Sequence, residues 1–134
     1  MNITTIFLNL PVKDITQTRN FWTNLGFSFN ENYSGEDSLC LTLSESHAYA
    51  MLINHNKFST FTDKPIADGK STEILLSLQV DTREDVDSVF RKALENGGRK
   101  FKESTDLGWM YYSGFEDING HQREVMCIDQ TKMS

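Results

Sequence analysis

Two cysteines and two prolines are all that the 134 residues hold of either type. With no CxxC pair and no dense cysteine framework, neither a disulfide scaffold nor a zinc ribbon is indicated. Cys40 and Cys127 lie in apolar stretches and read as buried free thiols of a reducing compartment. Basic charge is also scarce. Thirteen Lys and Arg stand against 19 Asp and Glu, a formal net charge of −6, and the basic residues are scattered. A nucleic-acid partner needs a basic stripe and an anionic membrane a basic cluster, so the balance argues against both. No apolar run approaches the roughly 20 residues of a transmembrane helix. Met1 to Phe7 has neither the basic nor the apolar segment of an export signal. The expectation is a soluble cytoplasmic domain. A glycine-rich phosphate loop, a nucleophile elbow and a Ser-His-Asp pattern are absent too.

Aromatic side chains are plentiful. Nine Phe, four Tyr and two Trp within a hydrophobic fraction of 38% suffice for one packed domain. The apolar pattern runs through the same order twice. Ile6 to Val12 alternates as a strand, with Leu8, Leu10 and Val12 on one face and Phe7, Asn9 and Pro11 on the other. Asp14 then caps a helix bearing Ile15, Thr18, Trp22 and Leu25 on one side, ended by Gly26. Strand-like runs follow at Phe27–Asn30, Leu39–Leu43 and Ala48–Asn54. The second pass begins with a strand from Ile74 to Val80. A helix opened by Asp81 and Glu84 as a capping box follows, with an apolar stripe of Val86, Val89, Phe90, Ala93 and Leu94, and Gly97-Gly98 closes it. Strands at Trp109–Tyr112 and Gln122–Ile128 flank the turn Asp117-Ile118-Asn119-Gly120.

The pattern predicts an α+β fold of two β-α-β-β-β modules. Residues 1–54 form the first and 74–129 the second, within a single domain spanning 1–134. The bridge, 55–73, carries Phe58, Phe61 and Ile66 and is expected to pack as a flap. Neither module can bury both faces of its sheet alone. Two curved mixed sheets side by side would form a U-shaped trough with the helices outside. Parity then places Leu8, Leu10, Leu76 and Leu78 under helices, and Phe7, Asn9, Leu75, Ser77 and Gln79 in the trough.

Val12-Lys13-Asp14, Phe21-Trp22 and Leu25-Gly26-Phe27 resemble the opening V-x-D, F-Y/W and L-G-F of the vicinal oxygen chelate superfamily. Phe115-Glu116-Asp117-Ile118-Asn119-Gly120 with Glu124 resembles its closing F-x-D-P-D-G-x-x-x-E, Ile118 replacing Pro. This superfamily includes glyoxalase I, extradiol dioxygenases, fosfomycin-resistance enzymes and bleomycin-resistance proteins. The resemblance implies the fold already derived, a homodimer, and four metal-ligand positions. Those positions fall here on Phe7, Leu52, Leu75 and Glu124. One carboxylate among Phe and two Leu cannot hold a divalent cation, so no metal and no cofactor is expected.

Glu124 is therefore the sharpest candidate, either as a general acid or base or as the anchor of a cationic group. Asn9, Asn54, Ser77, Gln79 and Gln122 share the trough parity and suit the orienting of a small molecule. Family spacing adds Met110 and Tyr112, with Trp109 and Tyr111 toward the helices. His47, His55 and His121 read as surface residues without ligand spacing. The expected function is metal-independent binding or sequestration of a small aromatic or cationic molecule by Phe7, Asn9, Leu52, Asn54, Leu75, Ser77, Met110, Tyr112, Gln122 and Glu124. The alternative is an enzyme, a lactoylglutathione-lyase-like lyase or isomerase or a dioxygenase, with Glu124 as general base or residual metal ligand.

Overall fold

Alternation from Ile6 to Val12 becomes strand β1 (Ile6–Val12) in the computed structural model, which describes residues 1–132. Asp14 ends the strand and opens helix α1 (Ile15–Asn24), its carboxylate accepting from the Gln17 backbone N–H at 2.8 Å. Thr18, Phe21, Trp22 and Leu25 form the buried side of that helix. Gly26 leaves it with φ +96°, a left-handed conformation costly for residues bearing a Cβ. Strands β2 (Ser38–Ser44) and β3 (Ala48–Asn54) complete the sheet in the order β1-β3-β2. The expected strand at Phe27–Asn30 is reduced to one bridge, Phe29 to Leu41. A 3-10 turn at Glu31–Tyr33 draws the chain away immediately afterwards.

The second pass repeats this plan. Strand β4 (Leu76–Gln79) leads into helix α3 (Arg83–Glu95), followed by β5 (Arg99–Asp106), β6 (Met110–Glu116) and β7 (Gln122–Ile128). The sheet order is β4-β7-β6-β5. In each sheet the first strand lies parallel to the last. Such a pairing needs a crossover, and the helix and intervening strands supply it. Thr82, one residue later than expected, caps α3 by accepting from the Asp85 N–H at 3.0 Å. The sequence pattern missed β5 altogether, because Arg99–Asp106 carries a single apolar side chain, Phe101.

The chain divides into two compact units, Met1–Asp68 and Gly69–Ser134, so the boundary falls inside the expected bridge. Helix α2 (His55–Phe58) opens that segment. Phe61 is exposed and Phe58 half-buried. Cys40 and Cys127 are buried and free, and burial pushes the Cys40 thiol up. Among the described residues no helix is long and apolar enough to cross a membrane.

Strand β7 is the most regular element, alternating buried Arg123, Val125 and Cys127 with half-buried Gln122, Glu124, Met126 and Ile128. A buried arginine in that row needs a partner. Arg123 Nη2 donates to Asp117 Oδ2 at 3.2 Å, and both side chains are at most 2% exposed. The other carboxylate oxygen of Asp117 accepts from the backbone N–H groups of Asn119 (2.9 Å) and His121 (3.1 Å). Gly120 N–H closes the turn on the Asp117 carbonyl. The turn thus forms with Ile118 in place of proline. Burial pulls the Arg123 guanidinium below its ordinary value, and Asp117 opposes that shift.

A second polar cluster joins α3 to the strands beneath it. Arg83 pairs with both Asp106 oxygens at 2.8 and 2.9 Å and lies 4.8 Å from the Tyr111 ring centroid. Tyr111 donates to Asp87 at 2.6 Å, and this bond with partial burial pushes its phenol up. Arg83, helped by the Gly108 N–H, holds the Asp106 carboxyl down at about 2.

Two outcomes are expected. Asp117→Ala leaves Arg123 buried without its counter-charge, which costs about 3–5 kcal/mol and lowers the urea midpoint accordingly. Asp106, observed by NMR, titrates at about 2 and returns toward its ordinary value in Arg83→Gln. Because the folded value is depressed, the stabilisation from this pair is present above the unfolded value, 3.8, and is lost as pH falls through about 2.

Candidate functional site

Strand register decides which side chains share a face, and it does so separately in each unit. In the first, Phe7 pairs with Tyr49, Asn9 with Met51, and Leu10 with Leu52. Leu52 accordingly lies with the core residues, 1% exposed, and not on the face of Phe7. The expected placement of Leu52 is thus shifted by one residue, and one residue reverses the face of a strand. Asn54 is also misplaced by the sequence pattern. It stands opposite buried Val12, its Oδ1 caps α2 by accepting from Lys57 N–H, and its Nδ2 donates to Asp37, both at 2.9 Å.

Tyr49 and Met51 take the places that Leu52 and Asn54 leave. The Phe7 and Tyr49 rings stack at 5.4 Å between centroids and 20° between planes. Tyr49 is tethered in turn, its hydroxyl accepting from the Ser46 N–H at 2.9 Å. This face is exposed at Phe7 and Asn9, half-buried at Tyr49 and Met51, and closed at Cys40 and Ile53.

In the second unit, α3 packs on β5, β6 and β7, and Tyr111 reaches it through Asp87. The opposite face is open. Ser77 pairs with Glu124 and Gln79 with Met126 across β4 and β7. Across β7 and β6, Gln122 meets Glu116, Glu124 meets Gly114, Met126 meets Tyr112, and Ile128 meets Met110. Ser77, Met110, Tyr112, Gln122 and Glu124 therefore share one face, with Gln79 beside them. Leu75 lies just before β4 and is 47% exposed. Trp109 N–H and C=O lie at the far strand end, where its carbonyl accepts from Asp129 N–H at 2.7 Å.

Glu124 stands at the centre of this row. Ser77 Oγ donates to its Oε1 at 2.5 Å, and among the described residues no cation pairs with it. Next to it, a polar cleft of about 300 Å3 is lined by Lys70, Ser71, Thr72, Arg99, Glu116 and Gln122, with Gly69 and Gly120. Arg99 and Glu116 form an ion pair within it. Sequence reasoning missed this cleft because Arg99 lies in the overlooked strand and Lys70 to Thr72 in a segment without period.

The donors that a metal would need are lacking. Phe7 and Leu75 offer only hydrocarbon, Leu52 is in the core, and Glu124 alone provides oxygen. Among the described residues no three His, Cys, Asp or Glu side chains gather so as to hold a metal ion. His47 sits in the β2–β3 turn, His55 begins α2, and His121 follows the Asp117–Gly120 turn.

Residues 4–125 match the family described as the glyoxalase/bleomycin resistance protein/dioxygenase superfamily. Solved structures give the same picture. The hypothetical protein SA1046 from S. aureus is 25% identical, with a TM-score of 0.80 and 95% of each chain covered. A glyoxalase/bleomycin resistance protein/dioxygenase family enzyme from Burkholderia phytofirmans PsJN is 18% identical, with a TM-score of 0.74 over 92% of this chain and 97% of that one. TioX from Micromonospora sp. ML1 is 16% identical, with a TM-score of 0.64 over 95% and 100%. Among curated proteins none matches this chain.

Proposed function

Because the chain belongs to the glyoxalase/bleomycin resistance protein/dioxygenase superfamily, we propose that it binds a small organic molecule without a metal, with Glu124 as the charged anchor. One observation carries this reading. Of the four positions where the superfamily resemblance places metal ligands, only Glu124 has a donor, and that donor is held by a neutral hydroxyl, Ser77. A carboxylate fixed by one neutral donor keeps acceptor capacity for a ligand N–H or a positive group. Gln79 and Gln122 on the same face supply amide donors and acceptors, and Met110, Tyr112 and Met126 supply apolar contact.

The same carboxylate supports a second reading, an enzyme in which Glu124 takes a proton from a C–H next to a carbonyl. A lyase or isomerase of that kind differs from a binding protein only in turnover. The two free buried thiols support a reducing, cytoplasmic setting. Assembly as a homodimer belongs to the same proposal and is tested by light scattering on the eluting protein.

The anchoring role is tested by thermal shift with organic amines, neutral analogues and divalent metals, combined with metal determination on the untagged protein. Organic amines are expected to raise Tm in the wild type, by mass action on the folded state, and Glu124→Gln is expected to abolish the shift. A stoichiometric metal that is lost on Glu124→Gln would overturn the binding reading. Turnover of a stabilising compound, lost in the same variant, would favour the enzyme.

A further inference from the structure

Strand β5 pairs with β6 in a slipped register. Lys100 faces Phe115 and Lys102 faces Gly114, so two steps along β5 match one along β6 and Phe101 is the extra residue of a bulge. Bulges re-aim side chains. Here the Phe101 ring occupies the place that a side chain on Gly114 would take. A Cβ at Gly114 would meet ring carbons of Phe101 at 2.7 and 2.8 Å and the Lys102 Cβ at 2.9 Å, closer than real Cβ atoms approach anything. Gly114 stands directly opposite Glu124. Residues opposed in an antiparallel pair project to the same face, with Cβ positions about 5 Å apart. The ring therefore covers the part of the open face next to the Glu124 carboxylate, and Phe101 remains half-buried rather than enclosed.

We propose that Phe101 and Glu124 form a cation site for an alkylammonium or quaternary ammonium group. This rests on the reading of Glu124 as the ligand anchor and adds Phe101 as the residue that determines specificity. A carboxylate supplies counter-charge to any cation. An adjacent aromatic ring selects those that also present polarised C–H or N–H surface. Ser77 donates to one carboxylate oxygen, and the carboxylate keeps its charge and acceptor capacity for an ammonium group. Met126 and Tyr112, one rung along, extend the apolar surface for the substituents of the cation. Lys102 is the protein's own cation nearest in register. It is exposed and forms no ion pair with Glu124 among the described residues.

Choline chloride and its neutral isostere 3,3-dimethylbutan-1-ol separate charge from shape. In a titration followed by two-dimensional amide NMR at constant ionic strength, choline is expected to shift Phe101, Gly114 and Glu124 saturably. The isostere is expected to bind about tenfold more weakly or not at all. Phe101→Leu should weaken choline by about three- to tenfold, and Phe101→Trp should preserve or tighten it. Gly114→Ala, whose Cβ meets both the ring and the Lys102 Cβ, should weaken choline as well, with a well-dispersed spectrum reporting that the fold survives. If Glu124→Gln releases choline while Phe101→Leu and Gly114→Ala bind it unchanged, the aromatic part is wrong and the Glu124 anchor stands. If Glu124→Gln binds choline as the wild type does, the anchor itself is wrong. Equal affinity for the two probes, or no saturable shift with millimolar choline, overturns the cation site outright.

Discussion

The buried ion pair between Asp117 and Arg123 is the constraint on which the second unit depends. An arginine in the covered row of β7 has lost nearly all its water, and the attraction of one carboxylate only offsets that cost. The pair adds position more than stability. Asp117 divides its two oxygens, one to the guanidinium and the other to two N–H groups of the turn. The turn and the strand leaving it are thereby tied to the same atom group. Arg123 can point only toward the covered side, so Gln122 and Glu124 must point to the other. The direction of the candidate carboxylate thus follows from an interaction on the opposite face of its strand.

Alternation and caps made much of the fold legible in the sequence. The repeated strand-helix-strand order, the α1 cap at Asp14 and the split of Ser77 and Gln79 from Leu76 and Leu78 are all local properties of the chain. Reading failed where no local signal exists. Strand β5 is solvated along Lys100, Lys102 and Glu103, and its one apolar residue lies in a bulge, so it has neither period nor hydrophobic face. Leu52 and Asn54 failed for another reason. Leu52 rests on a loose family match and Asn54 on bare alternation, and a period of two turns any error of one residue into the opposite face. Met110 and Tyr112 are counted back from the nearby Asp117 turn, and strand pairing puts them on the Glu124 face.

The faces of the two units differ in character. In the first, Phe7, at the position where the superfamily resemblance places a metal ligand, stacks on Tyr49 at the exposed end of the face, which closes at Cys40 and Ile53. In the second, polar side chains line the open row, and a cleft with a charged pair adjoins it. The Phe7 ring supplies van der Waals surface and a negative π-face where a ligating imidazole would supply a lone pair. The change removes one kind of chemistry from that position and introduces another.

The consequence falls on Glu124. A carboxylate that shares a metal with three other ligands is neutralised by that metal and needs little else. In its own unit Leu75 offers no donor, and the charge of Glu124 is met by dipoles and by solvent. Ser77 supplies one dipole, and Glu116, the nearest carboxylate in the row, already has Arg99. No lysine or arginine among the described residues closes on Glu124, although 13 are present in the chain. Arg83, Arg99 and Arg123 each hold a carboxylate elsewhere in the same unit, whereas Glu124 is met by a neutral hydroxyl on an open face. A ligand bearing positive charge or N–H donors would gain there, while an anionic or purely apolar one would cost the carboxylate its water and return nothing.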